Sequence, residues 1–260
     1  MKPTSTLLLA LLLCGSAFVR AADPAAYQPE AGSKTETNKK PVWAFTPNPS
    51  LPNVLILGDS ISIGYTLQVR ELLKGKANVF RPVSANGASA VNCQGTTIGA
   101  EQIDQWLAGP KWSVIHFNWG LHDLKHVTKA GTSQNSNSAA DPVQATIEEY
   151  SQNLEGIIGK LRTTGAQLIF ATTTPVAPGT TSPLREVDAP ARYNAAALKV
   201  MKAHGITVND LFAVCEPRLE ELQLPRNVHF KPEGSTALAR QVATTIEAAL
   251  PKTATKPKTP

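Results

Sequence analysis

The sequence predicts an α/β fold of three layers, α/β/α, with a central parallel sheet. Three observations carry that prediction: short apolar runs without alternation, helical patterns between them, and no internal repeat. A run that is apolar at every position suits a strand covered on both faces, and strands separated by helices require right-handed crossovers.

The first such run is Asn53 to Leu57 (NVLIL), which stops at Gly58-Asp59. Ala77 to Arg81, Ser113 to Asn118, Gln167 to Thr173 and Gly205 to Val208 repeat the pattern. Helical periodicity occupies Thr66 to Lys74, Ala100 to Leu107, Val143 to Thr163, Pro190 to His204 and Glu233 to Leu250. Two connections are longer than usual: Val127 to Pro142, rich in Ser, Asn, Gly and Thr, and the proline-rich Pro175 to Ala189. Segments of this length are either binding walls and lids or plain surface variation.

The 260 residues, 42% of them hydrophobic, suffice for one domain with tails. Residues 1–21 read as a signal peptide, with Lys2 at the start, an apolar run from Leu7 to Leu13, and Val19-Arg20-Ala21 before a cut after Ala21. That run is too short to span a bilayer, and no later stretch is long enough, so stable membrane insertion is not expected. Acylation of Cys14 is the competing reading, but Leu13 stands where such processing favours a small residue. Residues 22–52 form an extended lead-in in which Trp43 and Phe45 are candidates for packing on the domain. The domain itself is expected over 53–250, with a disordered basic tail at 251–260. The expected location is therefore secreted or periplasmic.

The net charge of +5 is carried by the ends of the chain, in Lys2, Arg20, Lys252, Lys256 and Lys258. The remainder is formally neutral, so no nucleic-acid partner is expected. With Cys14 removed, Cys93 and Cys215 are either a disulfide of an exported protein or two buried thiols. No His/Cys cluster has zinc-ligand spacing, and neither a metal nor another cofactor is expected.

The strongest chemical signal is Gly58-Asp59-Ser60, directly after the first strand. In a parallel α/β sheet the site lies where loops leave the carboxyl ends of the strands, and the N–H groups of a following helix stabilise developing negative charge. An ordinary Asp/Ser helix cap would look the same in isolation.

Three further blocks accompany it: Asn92-Cys93-Gln94-Gly95-Thr96-Thr97, Gly120-Leu121-His122-Asp123, and Val228-His229-Phe230 with Pro232-Glu233-Gly234. In this order, each at a strand-to-helix junction, they resemble the SGNH/GDSL hydrolase family across roughly Asn53 to Leu250. The resemblance implies a flavodoxin-like domain and a serine esterase. In that reading Ser60 is the nucleophile, His229 its general base, and the oxyanion donors are the Ser60 N–H, an N–H of Gln94 or Gly95, and a side chain of the third block. The chemistry needs such convergence, because a serine hydroxyl requires a base within reach and the oxyanion requires preorganised donors.

The sequence departs from the family pattern at two side chains. His122 stands where the family has asparagine, and a neutral imidazole N–H there would still donate. Arg226 stands three residues before His229, where the family has its acid, and a guanidinium cannot accept the imidazole N–H. Asn227, through its amide oxygen, or a backbone carbonyl would then orient the base in a Ser–His dyad. Asp123 and Asp210 are the other carboxylates at strand ends; Asp123 is retained as a base-orienting candidate, and Asp210 is expected to cap the Leu211 segment. His116 falls inside a strand and is expected in the core, whereas Lys125 and His126 are candidates for the site mouth. Trp119 is either a stacking face for a sugar or a packing residue.

The expected substrate is a small-molecule or carbohydrate ester, with an O-acetylated carbohydrate as the leading reading. Competing readings are a lipid or aryl esterase and a carbohydrate-binding pseudoenzyme.

Overall fold

The computed structural model describes residues 42–251. Those residues form a five-stranded, all-parallel sheet in the order β2-β1-β3-β4-β5. Its strands are β1 (Asn53–Leu57), β2 (Asn78–Phe80), β3 (Val114–Phe117), β4 (Gln167–Ala171) and β5 (Thr207–Asn209). The helices are α1 (Ser60–Leu72), α2 (Thr96–Leu107), α3 (Ile147–Arg162), α4 (Ala189–Ala203), the short α5 (Leu211–Cys215) and α6 (Leu219–Leu222), and α7 (Pro232–Ala249).

The chain moves outward from β1 to β2, then crosses back over β1 to reach β3 and continues to β5. With right-handed crossovers this reversal puts α1 on one face of the sheet and α2, α3 and α4 on the other. Packing agrees, since α1 lies against α7 while α3 lies against both α2 and α4. The reversal also parts the loops after β1 and β3, which opens the crevice where such sheets bind ligands.

The apolar runs become the core. Val54, Ile56, Leu57, Ile115, Phe117 and Phe170 are sealed from solvent, as a strand covered on both faces demands. On α1, Ile61, Tyr65 and Val69 recur every four residues and form its buried stripe. His116 is enclosed on β3, where burial pushes its pKa down to about 3, and its Nε2 lies 3.1 Å from the Asn209 amide on β5. It is a neutral core residue.

Part of the lead-in is fastened to the domain. The Phe45 ring packs 4.9 Å from Phe80, the Arg70 guanidinium sits 4.2 Å over Phe45, and Asn78 exchanges hydrogen bonds with the Asn48 backbone. Cys93 and Cys215 are separate, buried free thiols. The expected signal peptide (1–21), most of the lead-in and all of the basic tail beyond Pro251 lie outside the described residues. Among the described residues no helix is long and apolar enough to cross a membrane.

Candidate active site

The site starts where β1 ends. Asp59 caps α1 by accepting the Ile61 N–H at 2.9 Å, and Ser60 is the first residue of the helix. The cap and the candidate nucleophile are therefore adjacent residues, each with its own task. Ser60 belongs to the first turn, whose N–H groups have no helical acceptor. Asp59 is enclosed, and burial raises its carboxyl above the ordinary value against the pull of nearby N–H groups, Arg185 and Arg81.

His229 arrives from the loop before α7. Its Nε2 lies 2.9 Å from Ser60 Oγ. Behind the ring, Asn227 Oδ1 accepts the His229 backbone N–H at 3.0 Å and faces Nδ1 at 2.8 Å. A backbone N–H can only donate, so the Asn227 oxygen is fixed as the acceptor. Nδ1 then carries the proton, and Nε2 turns a lone pair toward the serine hydroxyl. Arg226, exposed and with φ +55°, makes the left-handed turn that lets Asn227 fold back under the ring. Burial, and then the charge of Arg185, lowers the His229 pKa.

The second block places Gln94 in a left-handed conformation (φ 52°), with its N–H donating to Asn92 Oδ1 at 2.9 Å. That donor is spent inside its own turn, so of the two candidates only Gly95 keeps an N–H without an acceptor among the described residues. Gly95 is the N-cap of α2. A Cβ there would come within 2.8 Å of Gln144 Nε2 and 3.1 Å of Asp123 Oδ1, which explains the glycine.

The third block follows β3. A Cβ on Gly120 would meet Thr173 Oγ1 at 1.9 Å, so only glycine lets the chain turn into the site here. His122 is partly exposed, while its Nδ1 is enclosed without a partner. Burial and the charges of Lys125, Arg185 and His229 hold its pKa well below 6.5. It is thus neutral, and the tautomer with hydrogen on Nε2 is favoured, because an enclosed lone pair costs less than an enclosed unpaired N–H.

Asp123 does not orient the base. Its Oδ1 accepts the Thr96 N–H at 2.8 Å and the Thr96 hydroxyl at 2.5 Å, clamping the N-terminus of α2 to the third block. Burial raises this carboxyl to about 7 despite those bonds. A carboxylate beside a helix N-terminus satisfies the orphan donors there, which turns Asp123 toward Thr96 and away from His229. Asp210 likewise caps α5 through Ala213 N–H at 3.1 Å and accepts from Thr172 Oγ1 at 2.9 Å. Trp119 is sealed in the core with its indole N–H donating to Cys93 O at 3.2 Å, and offers no face to a sugar.

Two arginines of this region escaped sequence reasoning. Arg81, buried at the end of β2, donates to Gly58 O (3.3 Å), Val91 O (2.8 Å), Ser62 Oγ (3.2 Å) and Thr66 Oγ1 (3.0 Å), tying the first block to the loop that leads into the second. A cation directly after an apolar strand run was the available signal. Arg185 lies in the long connection before α4 and donates from Nε to Leu121 O at 2.7 Å. Nothing local in the sequence distinguishes it. The two long connections are stitched together by Leu184, whose backbone bonds to His126 N–H (2.9 Å) and to Ser136 O (2.9 Å). Lys125 and His126 are buried and fasten this wall: Lys125 Nζ donates to Ser133 O and Asn135 Oδ1, and His126 Nδ1 lies 2.7 Å from Asp141 O. Among the described residues no cluster of His, Cys, Asp or Glu could hold a metal ion.

The fold is similar to that of an acetyl xylan esterase, with 14% identity, a TM-score of 0.58, and coverage of 75% of this chain and 99% of the other. It is also similar to the lipase/acylhydrolase from Enterococcus faecalis (18% identity, TM-score 0.61, coverage 78% and 100%). A variant of an acetyl-xylooligosaccharide esterase from Geobacillus Stearmophilus is a further neighbour (15%, 0.58, 79% and 97%). At such identities the likeness is one of fold. No curated protein matches the chain. Residues 56–237 match the GDSL-like lipase/acylhydrolase family, a span running from within β1 into α7 that holds all four blocks, and the chain belongs to that family of ester-hydrolysing enzymes.

Proposed function

We propose that the chain is an exported serine esterase that removes O-acetyl groups from a carbohydrate, with Ser60 as nucleophile and His229 as general base. The observation that carries the reading is the 2.9 Å contact between Ser60 Oγ and His229 Nε2, with Nδ1 held by Asn227. Ser60 Oγ attacks the ester carbonyl while Nε2 takes its proton. The oxyanion is met by the N–H groups of Ser60 and Gly95 and by His122. The intermediate collapses with transfer of the proton from His229 to the departing alcohol, which leaves an acyl-serine. Water, deprotonated by His229, then releases the acid and restores Ser60.

The carbohydrate part draws support from two fold neighbours whose names specify acetylated xylan or xylo-oligosaccharides. Export rests on the leader pattern of residues 1–21. The test of function is acetate release from acetylated oligosaccharides, set beside short- and long-chain acyl esters. Ser60→Ala should lower all turnover by more than about 10³-fold and abolish labelling by a fluorophosphonate; residual activity within tenfold of wild type overturns the assignment. Mass spectrometry of the mature protein tests export: an N-terminus at Ala22 is expected, and an acylated Cys14 refutes it.

A further inference from the structure

Arg185 is a buried cation whose charge the protein offsets only at a distance, through the enclosed Asp59 carboxylate. Its side chain is only 8% exposed, yet among the described residues no carboxylate lies within ion-pair distance of it. Its one protein acceptor is a backbone carbonyl, Leu121 O, reached through Nε at 2.7 Å. The two Nη atoms bond to no described group, and neither is among the fully enclosed unpartnered atoms, so the outer edge of the guanidinium remains open to solvent. A buried cation with no ion-pair partner is costly, and an arriving anion that paired with it would offset that cost.

The position identifies where that anion binds. The anchor, Leu121, immediately precedes His122, and the neighbouring Leu184 is bonded to Ser136 in the first long connection and to His126 beside it, so Arg185 is held at the wall of the crevice. Its charge is felt by Asp59, His122 and His229, one from each of three loops around Ser60. Arg81 and Lys125, the other buried cations here, are also without a carboxylate within ion-pair distance, but the Nη atoms of Arg81 are committed to Gly58, Ser62, Thr66 and Val91 with its Nε enclosed, and Lys125 Nζ is committed to Ser133 O and Asn135 Oδ1. Of the three, Arg185 alone presents uncommitted donors that are not enclosed: two, coplanar, on one unit of charge. That is the complement of a planar monoanion bound side by side.

We propose that Arg185 binds a carboxylate on the sugar that bears the ester, so that the preferred substrate is an O-acetylated acidic saccharide of the uronic-acid type. This rests on the esterase reading above and specifies its substrate class. The carboxylate lies on the sugar and takes no part in bond making; the acyl chemistry at Ser60 is unchanged.

The test compares acetate release from an O-acetylated hexuronic-acid oligosaccharide with that from the same backbone whose carboxyl groups are converted to primary amides, with p-nitrophenyl acetate as a third substrate. A charge-assisted pair predicts kcat/KM for the acidic saccharide about 10- to 100-fold above that for the neutral one. Arg185→Gln should bring that ratio to about one, whatever the absolute rates, and Arg185→Lys should retain part of it. Equal rates on both saccharides in the wild-type enzyme, or an unchanged ratio in Arg185→Gln, overturn the proposal. Since the wild-type ratio is decisive alone, a poorly folding variant does not protect the idea. Turnover of p-nitrophenyl acetate without discrimination between saccharides rejects the acidic substrate and leaves the esterase standing; no turnover of any of the three rejects the esterase itself.

Discussion

Asn227 Oδ1 meets both the backbone N–H and the ring Nδ1 of His229, at 3.0 and 2.8 Å, so a neutral amide stands where a triad has its carboxylate. The amide fixes the tautomer as an acid would, but brings no negative charge to the imidazolium formed during the reaction. Orientation and charge stabilisation, which an acid supplies together, are separated here.

The separation predicts the behaviour of two variants. Asn227→Ala removes the acceptor that Nδ1 faces, so kcat should fall. Asn227→Asp keeps the acceptor and adds charge, so kcat should rise, with about 10⁴ as the ceiling set by loss of the acid from a complete triad. Kinetics on one aryl acetate decide this. An alanine variant as active as wild type would show that Asn227 does not hold the base.

The pH profile follows from the same group. His229 works as a base only when neutral, and burial together with the charge of Arg185 depresses its pKa. Activity should therefore persist as pH falls through 6.5, the ordinary histidine value, and decline only below it. Arg185→Gln removes the like charge and should move the acid limb upward; Asn227→Asp should do so as well. A wild-type limb centred above 6.5 contradicts this electrostatic picture.

The sheet and its long helices were legible in the sequence because buried parallel strands and amphipathic helices write their periods directly. β1 falls on the residues expected, and α3, α4 and α7 lie within the segments expected or one residue outside them. α1 starts at Ser60, six residues before the expected Thr66: Ser60-Ile61-Ser62-Ile63 alternates like a strand and conceals the cap made by Asp59. The short α5 and α6 carry too few turns to leave a period. Asn227 was readable as an acceptor from its place two residues before His229. The task of Asp123 was not, since its partner Thr96 is 27 residues away, and the carbonyl that anchors Arg185 is 64 residues away.

His122 is neutral and has an enclosed Nδ1, which leaves Nε2–H as its donor. If that donor meets the oxyanion, His122→Ala should lower kcat by about 10²–10³, and His122→Asn should restore part of the loss with an amide N–H. Equal kcat in all three proteins at pH 7.5 would remove His122 from the mechanism.

Asp123 gives a prediction that separates a clamp from a catalytic acid. Burial raises its carboxyl from 3.8 to about 7. A group whose folded pKa is raised contributes its full stability below the unfolded value and loses it as pH climbs through the folded one, here between about 4 and 7. Asp123→Asn keeps an oxygen to accept from the Thr96 N–H and hydroxyl but cannot ionise. Wild type and variant should therefore have similar Tm at pH 4.5, and the wild type should fall behind at pH 8. The gap should be on the order of 1–4 kcal/mol, or roughly 3–10 °C for a domain of this size. Parallel melting curves across that range would refute the raised pKa. Activity supplies the second readout: because the clamp survives in the variant, kcat at pH 7.5 should stay within about tenfold of wild type, whereas loss of a carboxylate acting on His229 would cost about 10⁴. A loss of that size in a folded Asp123→Asn protein would return Asp123 to the base and displace Asn227 from that role.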